Sequence, residues 1–310
     1  MKLSHILESQ QFSRELLEDF FLIVERMKKI CQAGGSYSLS GKRMVILFYG
    51  PSIRTHASFA MAMDRLGGKV VFSTENAGVF SSVTEGGSLE DTIKIFSSWH
   101  PDVVVLRTNE EGMAERAATV SAAPIINAGD GTGQHPTQAL IDLYTIYEKL
   151  GTIDGLSIVI AGDLATGRTA RSLAYFLGKF SVKQIYFVSP DVVRMREDVK
   201  DYLKRHKVPF WESNDLRQVA PLADVIYQTR TTQERKLIVS RYGPNGMGYY
   251  VVDQEVLRLM RLNSFVLHPF PRSEEMPFES DQDSRAVYFD QAQNALYVRM
   301  ALLTMVCSDK

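Results

Sequence analysis

The sequence predicts an α/β protein made of two doubly wound domains, each with a parallel sheet. Short apolar runs, such as residues 45–48 and 103–106, alternate with longer segments whose apolar residues have helical spacing. The alternation stops at the glycine-flanked segment 151–155 and then begins again. Because parallel strands need long crossover connections, usually helices, this order predicts parallel sheets flanked by helices. A chain of 310 residues has room for two such domains.

Each half of the chain supplies its own set of predicted elements. The first half has predicted strands at 45–48, 70–73, 103–106 and 125–126, and predicted helices at 13–32, 52–66, 89–99, 113–119 and 138–150. The second half has predicted strands at 157–161, 184–188, 225–227 and 265–267, and predicted helices at 168–180, 192–206, 254–260 and 291–306. Ligands of such sheets bind at the carboxyl ends of the strands.

Composition argues against several classes of protein. The chain has 35 basic and 36 acidic side chains, so no overall field attracts nucleic acid or an anionic membrane surface. The two cysteines, Cys31 and Cys307, lie far apart in the sequence and are expected to be reduced thiols. With no signal peptide and no apolar run of membrane-spanning length, a soluble cytoplasmic protein is expected.

The turn after the first strand is a candidate phosphate site. Gly50 and Pro51 end the strand, and Ser52 stands where the N-cap of the next helix belongs. Arg54 and Thr55 follow in the first helical turn. Two hydroxyls, a guanidinium and a helix N-terminus together suit an anion, most naturally a phosphate. The alternative is an ordinary capped helix that carries a surface arginine.

Polar side chains also follow most of the other predicted strands. They are Arg107, His135, Gln138, Arg168, Arg230 and the segment 268–272, which reads HPFPR. The chain has no GxSxG, HExxH, Walker or GxGxxG pattern, so no cofactor and no metal ion is expected. The remaining cations, hydroxyls, histidine and glutamine suit an anionic substrate whose carbonyl is polarised without a covalent intermediate.

Three ordered segments resemble the signature segments of the aspartate and ornithine carbamoyltransferase family. They read SIRT at 52–55, HPTQ at 135–138 and HPFPR at 268–272. GDL at 162–164, GRT at 167–169 and VRMALL at 298–303 resemble the aspartate branch, the catalytic chain of aspartate carbamoyltransferase. The ornithine branch usually has a cysteine where this chain has Pro269. The resemblance extends from about residue 40 to the C-terminus.

The resemblance implies a domain plan and an assembly. Two Rossmann-like, doubly wound domains are expected, with residues 1–150 plus 290–310 binding carbamoyl phosphate and residues 151–289 binding the amino acid. The C-terminal helix would return to the first domain. The family also implies a homotrimer with active sites shared between neighbouring chains. The resemblance leaves open whether a regulatory or dihydroorotase-like partner binds this chain. No nucleic-acid or membrane partner is expected.

The resemblance also implies roles for individual residues. The phosphate of carbamoyl phosphate would be held by Ser52, Arg54, Thr55 and Arg107. Arg107 and His135 would polarise its carbonyl oxygen, while its amide group would be held by Gln138 and the backbone of Pro269 and Phe270. The carboxylates of the amino acid would bind Arg168 and Arg230. Ser81 and the loop around residue 85 would come from a neighbouring chain.

The sequence departs from the family pattern chiefly in that loop. The aspartate branch has a lysine where this chain has Glu85, and Gly87 replaces an acidic residue two places later. Smaller departures are His56 for an arginine, Thr232 for a glutamine and Ala165-Thr166 for a lysine-tyrosine pair. Several of these changes fall in the part of the site expected to bind the acceptor.

Three functional hypotheses follow from this resemblance and its departures. The first is an active carbamoyltransferase that makes N-carbamoyl-aspartate for pyrimidine biosynthesis, impaired to the extent that Glu85 disturbs the site. The second is a carbamoyltransferase for a different amine. The third is a weak or inactive paralogue that serves as a binding or assembly subunit. An assay with carbamoyl phosphate and a panel of amino acids discriminates among the three.

Overall fold

The computed structural model describes residues 3–77, 87–230 and 250–307. The chain divides into two compact units, of which the first comprises Met1–Leu140 together with Gln293–Lys310 and the second comprises Ile141–Ala292. Each unit contains one parallel sheet with flanking helices. The predicted fold class is therefore confirmed.

The first unit is built on the sheet formed by β1 (Arg43–Phe48), β2 (Lys69–Thr74), β3 (Val103–Thr108) and β4 (Ile125–Asp130). The strand order is β2-β1-β3-β4, and all the neighbouring pairs are parallel. Its helices are α1 (Arg14–Gln32), α2 (Ile53–Arg65), α3 (Leu89–Ser98) and α4 (Met113–Val120). The helix α5 (Pro136–Leu150) begins in this unit and continues into the second.

The second unit is built on the sheet formed by β5 (Ser157–Ala161), β6 (Gln184–Val188), β7 (Phe210–Ser213), β8 (Val225–Gln228) and β9 (Phe265–Leu267). The strand order is β7-β6-β5-β8-β9, and all the neighbouring pairs are parallel. Its helices are α6 (Arg168–Leu177), α7 (Glu197–Arg205), α8 (Leu216–Val219) and α9 (Gln254–Leu259). The last helix, α10 (Tyr288–Cys307), begins in this unit and continues into the first.

The strand order of each sheet defines its ligand-binding edge. In the first sheet the order of strands reverses between β1 and β3, which pair so that Phe48 lies opposite Arg107. In the second sheet it reverses between β5 and β8, where Ala161 lies opposite Gln228. Doubly wound sheets bind ligands just beyond the carboxyl ends of the strands at these reversals. The loops after β1, β3, β5 and β8 are therefore where functional side chains are expected.

The predicted elements differ from the observed ones mainly between residues 190 and 220. Helix α7 begins at Glu197, five residues later than predicted, because Arg194 and Arg196 are extended and the Val193 carbonyl accepts a hydrogen bond from Leu164. Glu197 and Asp198 then occupy the first helical turn, where the helix dipole favours acidic residues. The strand β7 and the short helix α8 were not predicted. The predicted domain boundary at residues 150–151 stays a prediction.

Neither a membrane span nor a cluster of metal ligands occurs in the described part of the chain. No helix within residues 3–77, 87–230 and 250–307 is long and apolar enough to cross a bilayer. The same residues contain no group of three or more His, Cys, Asp or Glu side chains that could hold a metal ion. Cys31 and Cys307 are free thiols.

Candidate active site

The turn between β1 and α2 brings two hydroxyls and a guanidinium together. Ser52 occupies the N-cap position of α2, as predicted, but its side chain makes no capping hydrogen bond to the backbone. Its hydroxyl instead donates to Oγ1 of the buried Thr55, at 3.0 Å. Arg54 lies in the same helical turn with an exposed side chain. This end of α2 therefore combines polar side chains with the positive end of the helix dipole.

The ends of β3 and β4 contribute a second cation and a histidine. Arg107 is paired beside Phe48 in the sheet, and its Nη1 donates to the Ala128 carbonyl at 3.1 Å. His135 is buried directly before α5, and its Nδ1 lies 3.2 Å from Oγ1 of Thr137. Gln138 follows in the first turn of α5 and is partly exposed. The first unit thus carries every predicted carbamoyl-phosphate residue except Pro269 and Phe270, at the carboxyl-terminal edge of its sheet.

A third guanidinium belongs to this group, and it comes from α10. Arg299 is only 2% exposed, and its Nη1 donates to the Ser58 hydroxyl. The Ser58 hydroxyl in turn contacts the carbonyl of Thr55 at 3.2 Å and that of Arg54, so Arg299 supports the first turns of α2. The Arg299 guanidinium also lies 4.9 Å from the ring centroid of Phe59. Its Nε is buried and has no hydrogen-bond partner within the described residues.

Like charges surround Arg299. Burial, together with the positive charges of Arg107 and Arg54, lowers the pKa of Arg299 to about 9. An arginine with a pKa near 9 is still protonated at neutral pH, so three cations stand near one another. A dianion would relieve this repulsion and would accept charge-assisted hydrogen bonds. We call Ser52, Arg54, Thr55, Arg107 and Arg299 the phosphate cluster.

The second unit positions its polar residues at the corresponding edge of the second sheet. Gly162 follows β5 with φ at +123°, and a Cβ there would lie 2.5 Å from the Thr229 carbonyl oxygen, so the two loops approach closely. The Asp163 backbone N–H then donates to the Arg230 carbonyl at 3.1 Å. The Asp163 carboxylate accepts hydrogen bonds from the backbone of Ala165 and Thr166 and from the Thr166 hydroxyl. These bonds shape the loop before α6.

Two arginines stand at this edge. Arg168 is the first residue of α6 and is partly exposed, whereas Arg230 directly follows Thr229 and is exposed. The hydroxyl of the buried Thr229 donates to the Ala161 carbonyl at 2.9 Å, which ties the end of β8 to the end of β5. We call Arg168 and Arg230 the acceptor cluster. Two cations at the end of a sheet suit a substrate with carboxylate groups.

The third predicted segment divides into two parts of different character. Pro269 and Phe270 are partly exposed, and the Phe270 N–H donates to Nδ1 of the buried His268 at 2.9 Å. Arg272 instead forms a two-pronged ion pair with Asp281 and stacks on the Phe278 ring at 4.5 Å. The Asp281 hydrogen bond raises the pKa of Arg272. Arg272 therefore has a structural partner and is not a candidate substrate cation.

Some of the predicted residues lie outside the described part of the chain. These are Ser81 and Glu85, together with Thr232. His56 is described: its Nδ1 lies 3.8 Å from the Glu75 carboxylate and its ring meets Phe48 edge to face. His56, which stands where the family usually has an arginine, therefore contacts residues of the first unit.

Comparison with family models identifies both units. Residues 4–148 match the model described as aspartate/ornithine carbamoyltransferase, carbamoyl-P binding domain, and residues 154–306 match the model described as the Asp/Orn binding domain of the same family. The chain belongs to the aspartate/ornithine carbamoyltransferase family. The resemblance inferred from the three signature segments is thereby confirmed.

Individual relatives of this family member are aspartate carbamoyltransferases. The chloroplastic enzyme of Arabidopsis thaliana is 47% identical over 98% of this chain and 78% of its own length. The catalytic subunit of Thermococcus kodakarensis is 42% identical over 96% of this chain and 95% of its own. The crystal structure of the Trypanosoma cruzi aspartate transcarbamoylase in complex with carbamoyl phosphate has a TM-score of 0.92 and 36% identity, and covers 98% and 96% of the two chains. The similarity to the aspartate branch is confirmed.

Several structural contributors were not predicted from the sequence. In the sequence, Arg299 lies in the closing VRMALL segment and Thr137 lies in HPTQ, and neither segment by itself assigns these residues a role. The Asp163 carboxylate and the pair formed by His268 and Glu275 were given no role. Asp163 and His268 stand at the ends of predicted strands, in the segments GDL and HPFPR, but that position alone does not assign either side chain a role. The burial of Arg299 in a helix follows from tertiary structure, and no local pattern marks it.

Proposed function

We propose that this chain is a carbamoyltransferase of the aspartate type, which transfers the carbamoyl group of carbamoyl phosphate to the amine of L-aspartate. The observation that carries the proposal is the phosphate cluster, in which three guanidinium groups and two hydroxyls gather at the switch point of the first sheet. A dianionic phosphate is the ligand that such a cluster binds best. That the transferred group is a carbamoyl group and the acceptor an amino acid is proposed from the membership of this chain in the family.

His135 is proposed to polarise the carbonyl group of carbamoyl phosphate. If the Thr137 hydroxyl donates to Nδ1, the ring proton lies on Nε2, which can then donate to the carbonyl oxygen. Arg107 would stabilise the same oxygen as negative charge develops on it. The amine attacks the carbonyl carbon, the bond to the phosphate oxygen breaks, and the departing phosphate takes the amine proton. No covalent enzyme intermediate is needed.

The acceptor is proposed to be aspartate because the acceptor cluster offers two arginines. Arg168 and Arg230 would each bind one carboxylate, as guanidinium groups commonly do through paired hydrogen bonds. A different amine is the second candidate, and Glu85 is the observation that favours it. An assay of the purified chain with carbamoyl phosphate and a panel of amino acids tests both. Turnover of aspartate supports the first, and turnover of another amine only supports the second.

Glu85→Lys is expected to raise aspartate carbamoylation clearly. Relative to a lysine, Glu85 changes the local charge by two units next to a dianionic substrate, if the loop enters the site as the resemblance implies. Each unit-charge pair at about 4 Å is worth roughly 4 kcal/mol at an effective dielectric constant near 20. We therefore expect weak or absent activity in the unmodified chain. Steady-state turnover of aspartate measures the change, alone and together with Gly87→Glu.

The control for this experiment is the unmodified chain assayed with the same substrates. Turnover of aspartate at ordinary enzyme rates, about 1–10³ s⁻¹, would contradict the expectation and make Glu85 a tolerated change. If Glu85→Lys stays inactive with every amine although it still binds carbamoyl phosphate, the third hypothesis, a binding or assembly subunit, takes precedence.

We further propose that the chain assembles as a homotrimer through the edge strand β2. This strand ends the first sheet, and its apolar residues Val71 and Phe72 are 52% and 44% exposed. Ile95 and Trp99, in and just after α3, are exposed as well, and the Phe72 and Phe96 rings lie 5.2 Å apart. Exposed apolar surface on an edge strand is a docking surface. Ser81 and Glu85, which the resemblance assigns to a neighbour's site, follow this strand in the sequence.

Val71→Asp is expected to convert the trimer into monomers, because a charge would then be buried in the apolar contact. Light scattering coupled to size exclusion measures the mass, which should fall from three times 34.9 kDa to that of one chain. Leu262→Asp is the matched control, since Leu262 is 92% exposed but lies in the second unit. A monomeric unmodified chain, or a trimer that tolerates Val71→Asp, would refute the role of β2.

A further inference from the structure

The buried side chain of His268, the first residue of the HPFPR segment, faces the buried carboxylate of Glu275. His268 is 1% exposed and Glu275 is not exposed at all. Nε2 of His268 lies 3.1 Å from Oε1 of Glu275, and the same oxygen accepts the Ser273 N–H at 2.8 Å. On the other side of the His268 ring, Nδ1 accepts a hydrogen bond from the Phe270 N–H. The imidazole therefore joins a buried carboxylate to the backbone at Phe270.

These contacts define the tautomer of His268. Nδ1 accepts a hydrogen bond from a backbone N–H, so it carries no proton, and the ring proton must lie on Nε2, facing Glu275. Burial lowers the pKa of His268, which keeps the ring neutral. Burial alone would raise the pKa of Glu275, but the interactions with His268 and the backbone hydrogen bonds from Glu275 and Ser273 together outweigh burial, so the pKa is lowered. A neutral histidine thus donates to an ionised carboxylate.

The backbone that His268 holds is in an unfavourable conformation. Phe270 has φ at +50°, in the left-handed region that side chains with a Cβ seldom adopt. The segment is also anchored at its start, because the His268 N–H donates to Oε1 of Gln291 at 2.8 Å. The Gln291 amide donates in turn to the Asp142 carboxylate at 2.6 Å. The Phe270 N–H is thus held by the His268 ring, and the backbone of His268 is itself held by Gln291.

We propose that Glu275 is a positioning residue for carbamoyl-phosphate recognition. Its carboxylate holds His268 in one tautomer, the ring then fixes the Phe270 N–H, and the Pro269–Phe270 backbone keeps the orientation that receives the carbamoyl amide. This inference rests on the proposed function, and on the contact to the carbamoyl amide that the family resemblance implies for Pro269 and Phe270. Nothing in the role requires His268 or Glu275 to touch substrate.

Two pairs of variants separate positioning from simple stability. Glu275→Gln keeps an acceptor oxygen for Nε2, whereas Glu275→Met has a similar size and offers only a weakly accepting sulfur. In His268→Asn the side-chain oxygen can replace Nδ1 as acceptor for the Phe270 N–H, whereas in His268→Gln the amide can reach only toward Glu275. We expect Glu275→Gln and His268→Asn to preserve the affinity for carbamoyl phosphate, and Glu275→Met and His268→Gln to weaken it.

The readout is calorimetric binding of carbamoyl phosphate compared with inorganic phosphate, which lacks the amide. Glu275→Met and His268→Gln should bind carbamoyl phosphate on the order of tenfold more weakly, the scale of one hydrogen bond, and bind inorganic phosphate unchanged. A parallel loss for both ligands would indicate a merely structural role and overturn the inference. So would equal behaviour of His268→Asn and His268→Gln when both remain folded by circular dichroism.

A second measurement keeps the inference separate from the proposed function. Nitrogen-15 chemical shifts of His268 in the unmodified full chain should report a proton on Nε2 only, and Glu275→Met should shift the ring toward a mixture of tautomers. A proton on Nδ1 in the unmodified chain overturns the inference whatever the chain binds. If the tautomer is as expected but neither carbamoyl phosphate nor inorganic phosphate binds, the proposed function fails, and the positioning role fails with it.

Discussion

Arg54→Ala is expected to weaken binding of carbamoyl phosphate by roughly 3–5 kcal/mol, about 140- to 4,000-fold in the dissociation constant. Arg54 carries the most exposed charge of the phosphate cluster, at the N-terminus of α2. Arg107 and Arg299 would remain, so the cluster keeps part of its charge but loses a two-pronged contact to the phosphate. Calorimetry with carbamoyl phosphate or a phosphonate analogue measures the loss.

Arg54→Lys and Arg65→Ala are the controls for this prediction. Arg54→Lys keeps the charge but not the planar, two-pronged geometry, so it should recover part of the binding. Arg65 lies at the opposite end of α2, where its Nη1 donates to the Gly34 carbonyl, and its replacement should leave binding unchanged. If the unmodified chain binds neither carbamoyl phosphate nor its analogue, the assignment of the phosphate cluster is wrong.

His135→Ala is expected to reduce kcat by on the order of 10²–10³, the cost of removing one donor to a developing oxyanion. Binding of a phosphonate analogue should change little, because His135 is assigned to the carbonyl oxygen and not to the phosphate. In a chain with weak activity the measurement is made in the Glu85→Lys background. Single-turnover kinetics separate the chemical step from substrate binding.

Thr137→Val is the companion variant for His135. It removes the hydroxyl 3.2 Å from Nδ1 while His135 remains, so we expect a smaller loss of kcat that reflects a less well defined tautomer. A trapped phosphohistidine or carbamoylhistidine at residue 135 would overturn the role of a simple donor. A requirement for an added metal ion would overturn it equally.

The sequence was most informative where function depends on a local pattern. The strand, the Gly50–Pro51 break and the N-cap at Ser52 are contiguous, so the turn that carries Arg54 could be predicted from 22 neighbouring residues. The strand β7 was not predicted, because only two of its four residues, Phe210 and Trp211, are apolar and Pro209 directly precedes them. Helix α7 was predicted too long because the Val193 carbonyl is bound by distant Leu164.

The proximity of the three arginines of the phosphate cluster could not be predicted from the sequence. Arg54, Arg107 and Arg299 come from α2, β3 and α10, and 192 residues separate the last two. Their mutual proximity depends on how α10 packs in the first unit, which no periodicity specifies. Burying an arginine near two others is unfavourable for folding, so hydrophobic patterning predicts the opposite. Such a violation of the packing rules is typical of a functional site.

The discontinuity of the first unit has a consequence for how the protein is made. A ribosome adds about 5–20 residues per second, so the segment Ile141–Ala292 takes roughly 8–30 s to synthesise after residue 140. During that time the first sheet has emerged without α10, whose residues Leu302 and Leu303 are fully buried in the finished protein. The second unit, which is continuous in sequence, can complete its fold earlier. The nascent first unit is therefore the part that most needs protection from aggregation, and its phosphate cluster is assembled only after Arg299 has left the ribosome.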